Sequence, residues 1–244
     1  MKKAPWLLAS VGELQPGRRV VLDVTETRHA VGPLRLDSGD RVVLTDGAGA
    51  VASGDLDIQR RGAAEVAVVA VDHLSRPAPG LTLAVAVLAG AAMDLVVQKA
   101  VELGVEQLIP VCCQRSQISS KRAVIRMDHW IRISRQALKQ CRRAWAMELA
   151  SPTPLAELVS LADSDHGVVA DPCGGTIDEL SPGREHLLLI GPEGGFSPEE
   201  KRTLHAAGWP TVCFGHFILR AETAAIAGAA ILSNVDFRLH STDV

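Results

Sequence analysis

The sequence predicts an α/β protein in two parts, a β-rich segment over residues 1–75 and a parallel-sheet domain over residues 76–244. Three observations carry this. Short β-branched runs punctuated by turn residues fill the first part. The stretch Arg76-Pro77-Ala78-Pro79-Gly80 reads as a linker. Strands and helices then alternate, with glycine-containing loops at the C-terminal ends of two strands.

In the first part, Arg19–Val24, Arg41–Thr45 and Glu65–Val71 read as strands. Pro16-Gly17, Ser38-Gly39-Asp40, Asp46-Gly47-Ala48-Gly49 and Arg61-Gly62 bound them as turns. Strands this short and closely spaced suggest a small barrel or sandwich. After the linker, Leu81–Leu88 is an apolar run interrupted only by Thr82, as expected of a strand buried on both faces. Met93–Leu103 follows as a helix ended by Gly104, then Gln107–Val111 as a strand and Met127–Met147 as a long helix. Gly167–Ala170, Leu187–Ile190 and Thr211–Phe214 read as further strands, and Thr223–Asn234 as an Ala-rich helix able to pack closely on a sheet.

Composition narrows the class. Hydrophobic residues make up 47% of the 244 and charged residues 22%, a globular balance. Aromatics are 3%, with no Tyr, which argues against a surface of base-stacking platforms. The net charge of −3 exerts no global pull on nucleic acid, so any basic surface must be local. The five cysteines form no Cys-x-x-Cys pair and no cluster with His, so neither a disulfide framework nor a metal site is expected. Met1-Lys2-Lys3 begins like a signal peptide, but the apolar stretch after it breaks at Gly12-Glu13. The longest apolar run, Leu81–Met93, is too short to span a bilayer. A soluble cytoplasmic protein is the expectation.

The two glycine-containing loops hold the chemistry. Leu187-Leu188-Leu189-Ile190 runs into Gly191-Pro192-Glu193-Gly194-Gly195-Phe196, and a helix starts at once. Ser197 caps it, Pro198 suits its first turn, Glu200 completes a capping box and Gly208 ends it. The second segment is Gly215-His216-Phe217-Ile218-Leu219-Arg220-Ala221-Glu222-Thr223-Ala224. In open α/β sheets ligands bind at such strand ends. Taken alone, the first loop is equally well a tight strand-to-helix turn. It matches no P-loop and no dinucleotide fingerprint, and Glu193 would repel a phosphate. A cationic or neutral adenosine ligand suits it better than a polyphosphate.

Gly191-Pro192-Glu193-Gly194-Gly195-Phe196-Ser197, followed by Ile218-Leu219-Arg220-x-Glu222-Thr223-Ala224, resembles the RsmE family. These are 16S ribosomal RNA uridine-N3 methyltransferases of the SPOUT superfamily. Val97-Gln98-Lys99-Ala100-x-Glu102-Leu103-Gly104-Val105 is similar to a third motif of that family. Arg115-Ser116, Gln140-Cys141-x-Arg143, Arg28-His29, Leu34-Arg35 and Gly39-Asp40 fall where it has similar pairs. The resemblance implies an N-terminal PUA-like β-barrel and a C-terminal SPOUT domain tied in a deep trefoil knot. It also implies a homodimer and S-adenosylmethionine held by Ile190, Gly191, Pro192, Glu193, Gly194 and Gly195 with Phe214, Gly215, Ile218 and Leu219. The family usually has Arg where Phe217 stands and Thr where Ala221 stands, and its Gly-Arg-Asn after Gln-Cys is here Arg142-Arg143-Ala144. A non-catalytic knotted RNA-binding paralogue and a ribose 2′-O methyltransferase are the alternatives.

Methyl transfer from a sulfonium to a ring nitrogen needs no metal and depends on alignment. Arg220 is the candidate to stabilise charge developing on uracil oxygens, and Glu222 to orient Arg220 or accept a proton; a purely structural Arg220–Glu222 pair is the alternative. Nine basic residues and a single acid, Asp128, lie between 115 and 143. Arg132, Arg135, Lys139 and Arg142 share one helical face by spacing, with Trp130, Ala137, Leu138, Cys141 and Trp145 on another. That row, with Arg115 and Arg143 and with Arg28 and Arg35 from the first part, is the expected surface for the ribosomal RNA.

Overall fold

The computed structural model describes residues 4–59, 62–77, 80–162, 167–176 and 186–240, with the backbone alone over 234–240. Met1–Lys3, Arg61 of one expected turn, and Ala78 and Pro79 of the expected linker lie outside these. The chain forms two compact units. The first takes the described residues up to Pro77 and also Leu138–Ala146; the second takes the described residues up to Ala137 and from Met147 onward. The return of residues 138–146 to the first unit is not part of the simple division expected at residue 75.

The first unit is a five-stranded sheet of β1 (Trp6–Leu8), β2 (Arg19–Val21), β3 (Arg41–Thr45), β4 (Ala50–Ile58) and β5 (Ala64–His73), ordered β1-β3-β4-β5-β2. β1 pairs with β3 in parallel and the other pairs are antiparallel. The strand path is open, ending on β1 and β2. Leu7, Val42, Leu44, Leu56 and Val66 are buried at its core. The expected strand Arg19–Val24 is shorter, because α1 (Val24–Val31) begins where it was to end. Asp23 caps that helix, its Oδ1 accepting from the Glu26 N–H at 2.7 Å. The Asp23-x-x-Glu26 spacing is the signal for this helix. β4 carries Ala, Ser, Gly or Asp, poor strand formers, at six of its nine positions, and pairing on both sides holds it as a strand.

The second unit is a seven-stranded, wholly parallel sheet. Its strands are β6 (Leu81–Ala86), β7 (Gln107–Cys112), β8 (Glu148–Leu149), β9 (Thr153–Pro154), β10 (Gly167–Gly175), β11 (His186–Ile190) and β12 (Thr211–Val212). The order is β12-β10-β11-β6-β7-β8, with β9 also on β7. The helices are α2 (Ala91–Glu102), the start of α3 (Ser120–Cys141), α4 (Leu155–Leu161), α5 (Pro198–Ala206) and α6 (Ala221–His240). Ala84, Ala86 and Leu189 face one side and pack with Leu155 and Leu158 of α4 and Leu204 of α5. Leu188 turns to the other face and meets α6, where a Cβ on Gly228 would lie 2.5 Å from its Cδ2.

The long helix is shifted. It spans Ser120–Cys141 rather than Met127–Met147, and its end falls early because Arg142 adopts φ 61 and the Arg143 N–H closes onto the Leu138 carbonyl at 3.1 Å. This is a left-handed cap with Arg in the place glycine usually takes. Trp145 therefore lies beyond the helix instead of on its apolar face; its Nε1 donates to the Leu74 carbonyl at 3.0 Å beneath the Arg76 guanidinium. The last strand stops at Val212, and the final helix starts at Ala221, two residues earlier than expected.

Candidate active site

The parallel sheet aligns the C-terminal ends of β6, β7, β11 and β12 along one edge. From β6 the chain moves outward to β7, whereas from β11 it moves past β10 to β12, so the connections diverge between β6 and β11. Such a switch point opens a crevice. The Gly191–Phe196 loop leaves β11 at that point.

Packing shapes the loop. A Cβ on Gly191 would lie 2.8 Å from the buried Phe196 ring, so only glycine allows the ring to close over the strand end. Gly195 sits at φ 66, and its N–H donates to the Pro192 carbonyl at 2.7 Å. Glu193, Gly194 and Gly195 are exposed, while Ile190 and Pro192 are buried. The expected capping box is present: Ser197 Oγ accepts from the Glu200 N–H at 3.2 Å and Glu200 Oε2 from the Ser197 N–H at 2.7 Å. Buried Glu200 also accepts the Gln114 N–H on Oε1 at 2.8 Å. Burial, and then the Glu200 charge, push the neighbouring Cys113 thiol up to about 12.

The second segment follows β12. The Cys213 thiol donates to the Gly215 carbonyl at 2.8 Å, and Phe214 lies half-buried beside Gly228. Phe217 and Ile218 are each 84% exposed, apolar surface that folding of this chain leaves open to water. Leu219 is half-buried and Arg220 exposed. Glu222 stands in the first turn of α6, and its Oε2 is buried without a hydrogen-bond partner.

The expected RNA residues divide between the units. Arg28, Arg35 and Arg142 are exposed on the first, and Arg143 is half-buried there. Arg35, like Arg142, holds a left-handed backbone, at φ 52. Lys139 is a correction: it leaves the exposed row, because its Nζ pairs with Glu26 Oε1 at 2.6 Å. Burial, and then the Lys139 charge, lower the pKa of His29. On the second unit Arg135 is exposed, and Arg132 Nε donates back to the Asp128 carbonyl at 3.3 Å. Arg115 is turned toward the glycine loop, donating to the Gly194 carbonyl at 2.9 Å.

Sequence reasoning missed Asp94. Its carboxylate accepts from Trp130 Nε1 at 3.1 Å and lies 2.9 Å from His129 Nε2 and 3.5 Å from Arg126 Nη2, fastening α3 to α2. No local pattern marks a lone Asp one turn into a helix for this. Among the described residues no group of His, Cys, Asp and Glu is arranged to hold a metal, and no helix is long and apolar enough to cross a membrane.

Fold and site together describe an α/β protein with two irregular loops at the C-terminal edge of a parallel sheet, where open α/β sheets bind ligands. A model of the RNA methyltransferase domain matches residues 76–233. The chain belongs to that family of RNA methyltransferases. It is 32% identical over 145 residues to the ribosomal RNA small subunit methyltransferase E of Aquifex aeolicus, a match spanning 58% of this chain and 62% of that protein. A putative methyltransferase of Legionella pneumophila, solved with S-adenosylmethionine bound, superposes with a TM-score of 0.88 at 29% identity, over 94% of this chain and 97% of the other. The methyltransferase E of Neisseria gonorrhoeae, also solved with S-adenosylmethionine, gives 0.87 at 26% identity over 96% and 98%.

Proposed function

We propose that this chain transfers a methyl group from S-adenosylmethionine to N3 of a uridine in 16S ribosomal RNA. What carries the reading is the loop pair at one sheet edge, in a chain of the RNA methyltransferase family whose relatives of similar fold bind S-adenosylmethionine.

The residues fit that cofactor. Gly195 and Gly215 are exposed, and a Cβ on either meets nothing within 4 Å, so backbone is open to an adenosine. Ile218, Leu219 and Phe214 provide an apolar wall, and Glu193 suits a positively charged ligand better than a phosphate. When bound, the cofactor supplies an activated methyl on a sulfonium. The chain's own task is alignment and charge. Arg220, exposed just before α6, stabilises negative charge on the uracil oxygens as N3 becomes nucleophilic. The unpartnered Glu222 Oε2 is an acceptor whose desolvation is relieved when a donor arrives. In this reading the uracil N3–H is that donor and Glu222 takes its proton.

The same reading takes in the trefoil knot, closure of the first sheet as a PUA-like barrel, a homodimer, a cytoplasmic location and RNA contacts from Arg28, Arg35, Arg132, Arg135, Arg142 and Arg143. Nucleoside mass spectrometry of small-subunit RNA from a deletion strain tests it. Loss of 3-methyluridine is expected; its retention contradicts the assignment, and loss of a ribose-methylated nucleoside points to the 2′-oxygen instead.

A further inference from the structure

The turn after β7 reaches across the edge of β6 to the glycine loop, and its bonds form a pattern. Arg115 Nη1 donates to the Gly194 carbonyl at 2.9 Å and reaches the Phe196 carbonyl at 3.5 Å. Gln117 Nε2 donates to Glu193 Oε2 at 2.8 Å. The turn is itself fixed, because Ser116 Oγ accepts the Cys113 N–H at 3.2 Å and the Ser116 N–H returns to the Cys113 carbonyl at 3.1 Å. Arg115 thereby completes two peptide planes. In the Gly194–Gly195 plane, the N–H is held by Pro192 and the carbonyl by Arg115. In the Phe196–Ser197 plane, the N–H is held by Glu200 and the carbonyl by Arg115. A peptide plane held at both its N–H and its carbonyl resists rotation about the flanking φ and ψ bonds.

We propose that Arg115 and Gln117 are positioning residues that preform the glycine loop for its ligand, a reading that rests on S-adenosylmethionine being that ligand. Glycine-rich backbone loses more freedom on ordering than any other, so an unbraced loop would lose affinity when a ligand orders it. A guanidinium nitrogen bonded to the Gly194 carbonyl at 2.9 Å, with the Phe196 carbonyl at 3.5 Å, reduces that loss before binding, and its bonds are charge-assisted. Gln117 aims the Glu193 carboxylate, the loop's one charge, which complements a sulfonium. Arg115 thus serves the cofactor side of the reaction instead of an RNA phosphate.

The test compares the full-length wild type with Arg115→Ala, Arg115→Lys and Gln117→Ala. Calorimetry measures S-adenosylmethionine affinity, steady-state kinetics separate KM from kcat, and anisotropy measures binding to a 16S RNA transcript over a range of salt. Arg115→Ala is expected to weaken cofactor affinity and raise its KM about tenfold or more, with kcat within about threefold. RNA affinity and its salt slope stay unchanged. Lysine rescues in part, since its ammonium keeps the charge near the Gly194 carbonyl but lacks the preorganised planar guanidinium, and Gln117→Ala gives a smaller loss of the same kind. Unchanged cofactor affinity in Arg115→Ala, with an RNA salt slope reduced by about one, overturns the proposal. If Arg115→Ala does not fold, Gln117→Ala decides, and wild-type cofactor affinity in that variant overturns it. A wild-type chain that binds no S-adenosylmethionine overturns the cofactor reading itself, whereas wild-type binding with both variants unaffected overturns only the clamp.

Discussion

Replacing Lys139 by Met separates a structural lysine from an RNA-binding one. The Lys139 Nζ lies 2.6 Å from Glu26 Oε1, and the two side chains are only 9% and 6% exposed. Glu26 Oε2 accepts the Leu8 N–H at 3.0 Å, so the carboxylate also ties β1 to α1. Met keeps the length of the lysine stem and removes only the charge. What remains is a buried carboxylate with one backbone donor, and stripping one partner from such a pair costs about 3–5 kcal/mol. An exposed pair would be worth about 0–1 kcal/mol. Urea unfolding followed by circular dichroism measures the loss. The double variant Glu26→Gln with Lys139→Met is expected to recover most of it, because no uncompensated charge is left, giving a coupling energy of about 2 kcal/mol or more in the double-mutant cycle. If Lys139→Met is within about 1 kcal/mol of wild type and lowers the RNA salt slope by about one, the buried-pair argument is refuted and Lys139 is a phosphate ligand.

Three further outcomes follow from single residues. Burial first, then the Lys139 charge, hold His29 below its usual value of about 6.5, outweighing the raising effect of Glu26. The unfolded chain therefore takes up this proton at higher pH than the native one, so the stability present above about pH 6.5 is lost as pH falls through the lowered native value. His29→Gln should flatten that part of the urea-midpoint profile, and an unaltered slope contradicts the argument. Gly191→Ala puts a Cβ 2.8 Å from the Phe196 ring, an overpacking expected to cost about 1–3 kcal/mol and to weaken S-adenosylmethionine binding by calorimetry; wild-type affinity and stability would show that the ring yields freely. Cys113, buried and raised to about 12, should resist iodoacetamide at pH 8 under conditions that label exposed Cys173, and equal labelling in peptide mass spectrometry contradicts its assigned burial.

What was legible in the sequence was local. β6 announces itself as a run apolar but for Thr82, α5 by Ser197, Pro198 and Glu200, and the glycine loop by lying between the apolar Leu187–Ile190 strand and α5. Less legible were states set by partners far along the chain. β4 is a strand because two neighbours pair with it, and α3 ends at Cys141 because Arg142 takes a left-handed turn that an Arg side chain does not advertise. The helical spacing that grouped Lys139 with Arg132 and Arg135 is sound arithmetic, but Glu26 stands 113 residues away and claims it. Arg115 is likewise claimed by Gly194, 79 residues on. Charge runs reveal which residues are available for RNA only after such pairings are subtracted.

Uridine-N3 methyl transfer is tested by incubating the purified chain with small-subunit ribosomal RNA or subunits and isotopically labelled S-adenosylmethionine, followed by nucleoside mass spectrometry. Label is expected in 3-methyluridine, with Arg220→Ala reducing turnover far more than cofactor affinity. Label in a ribose-methylated nucleoside, or no transfer by a chain that binds the cofactor, would contradict it.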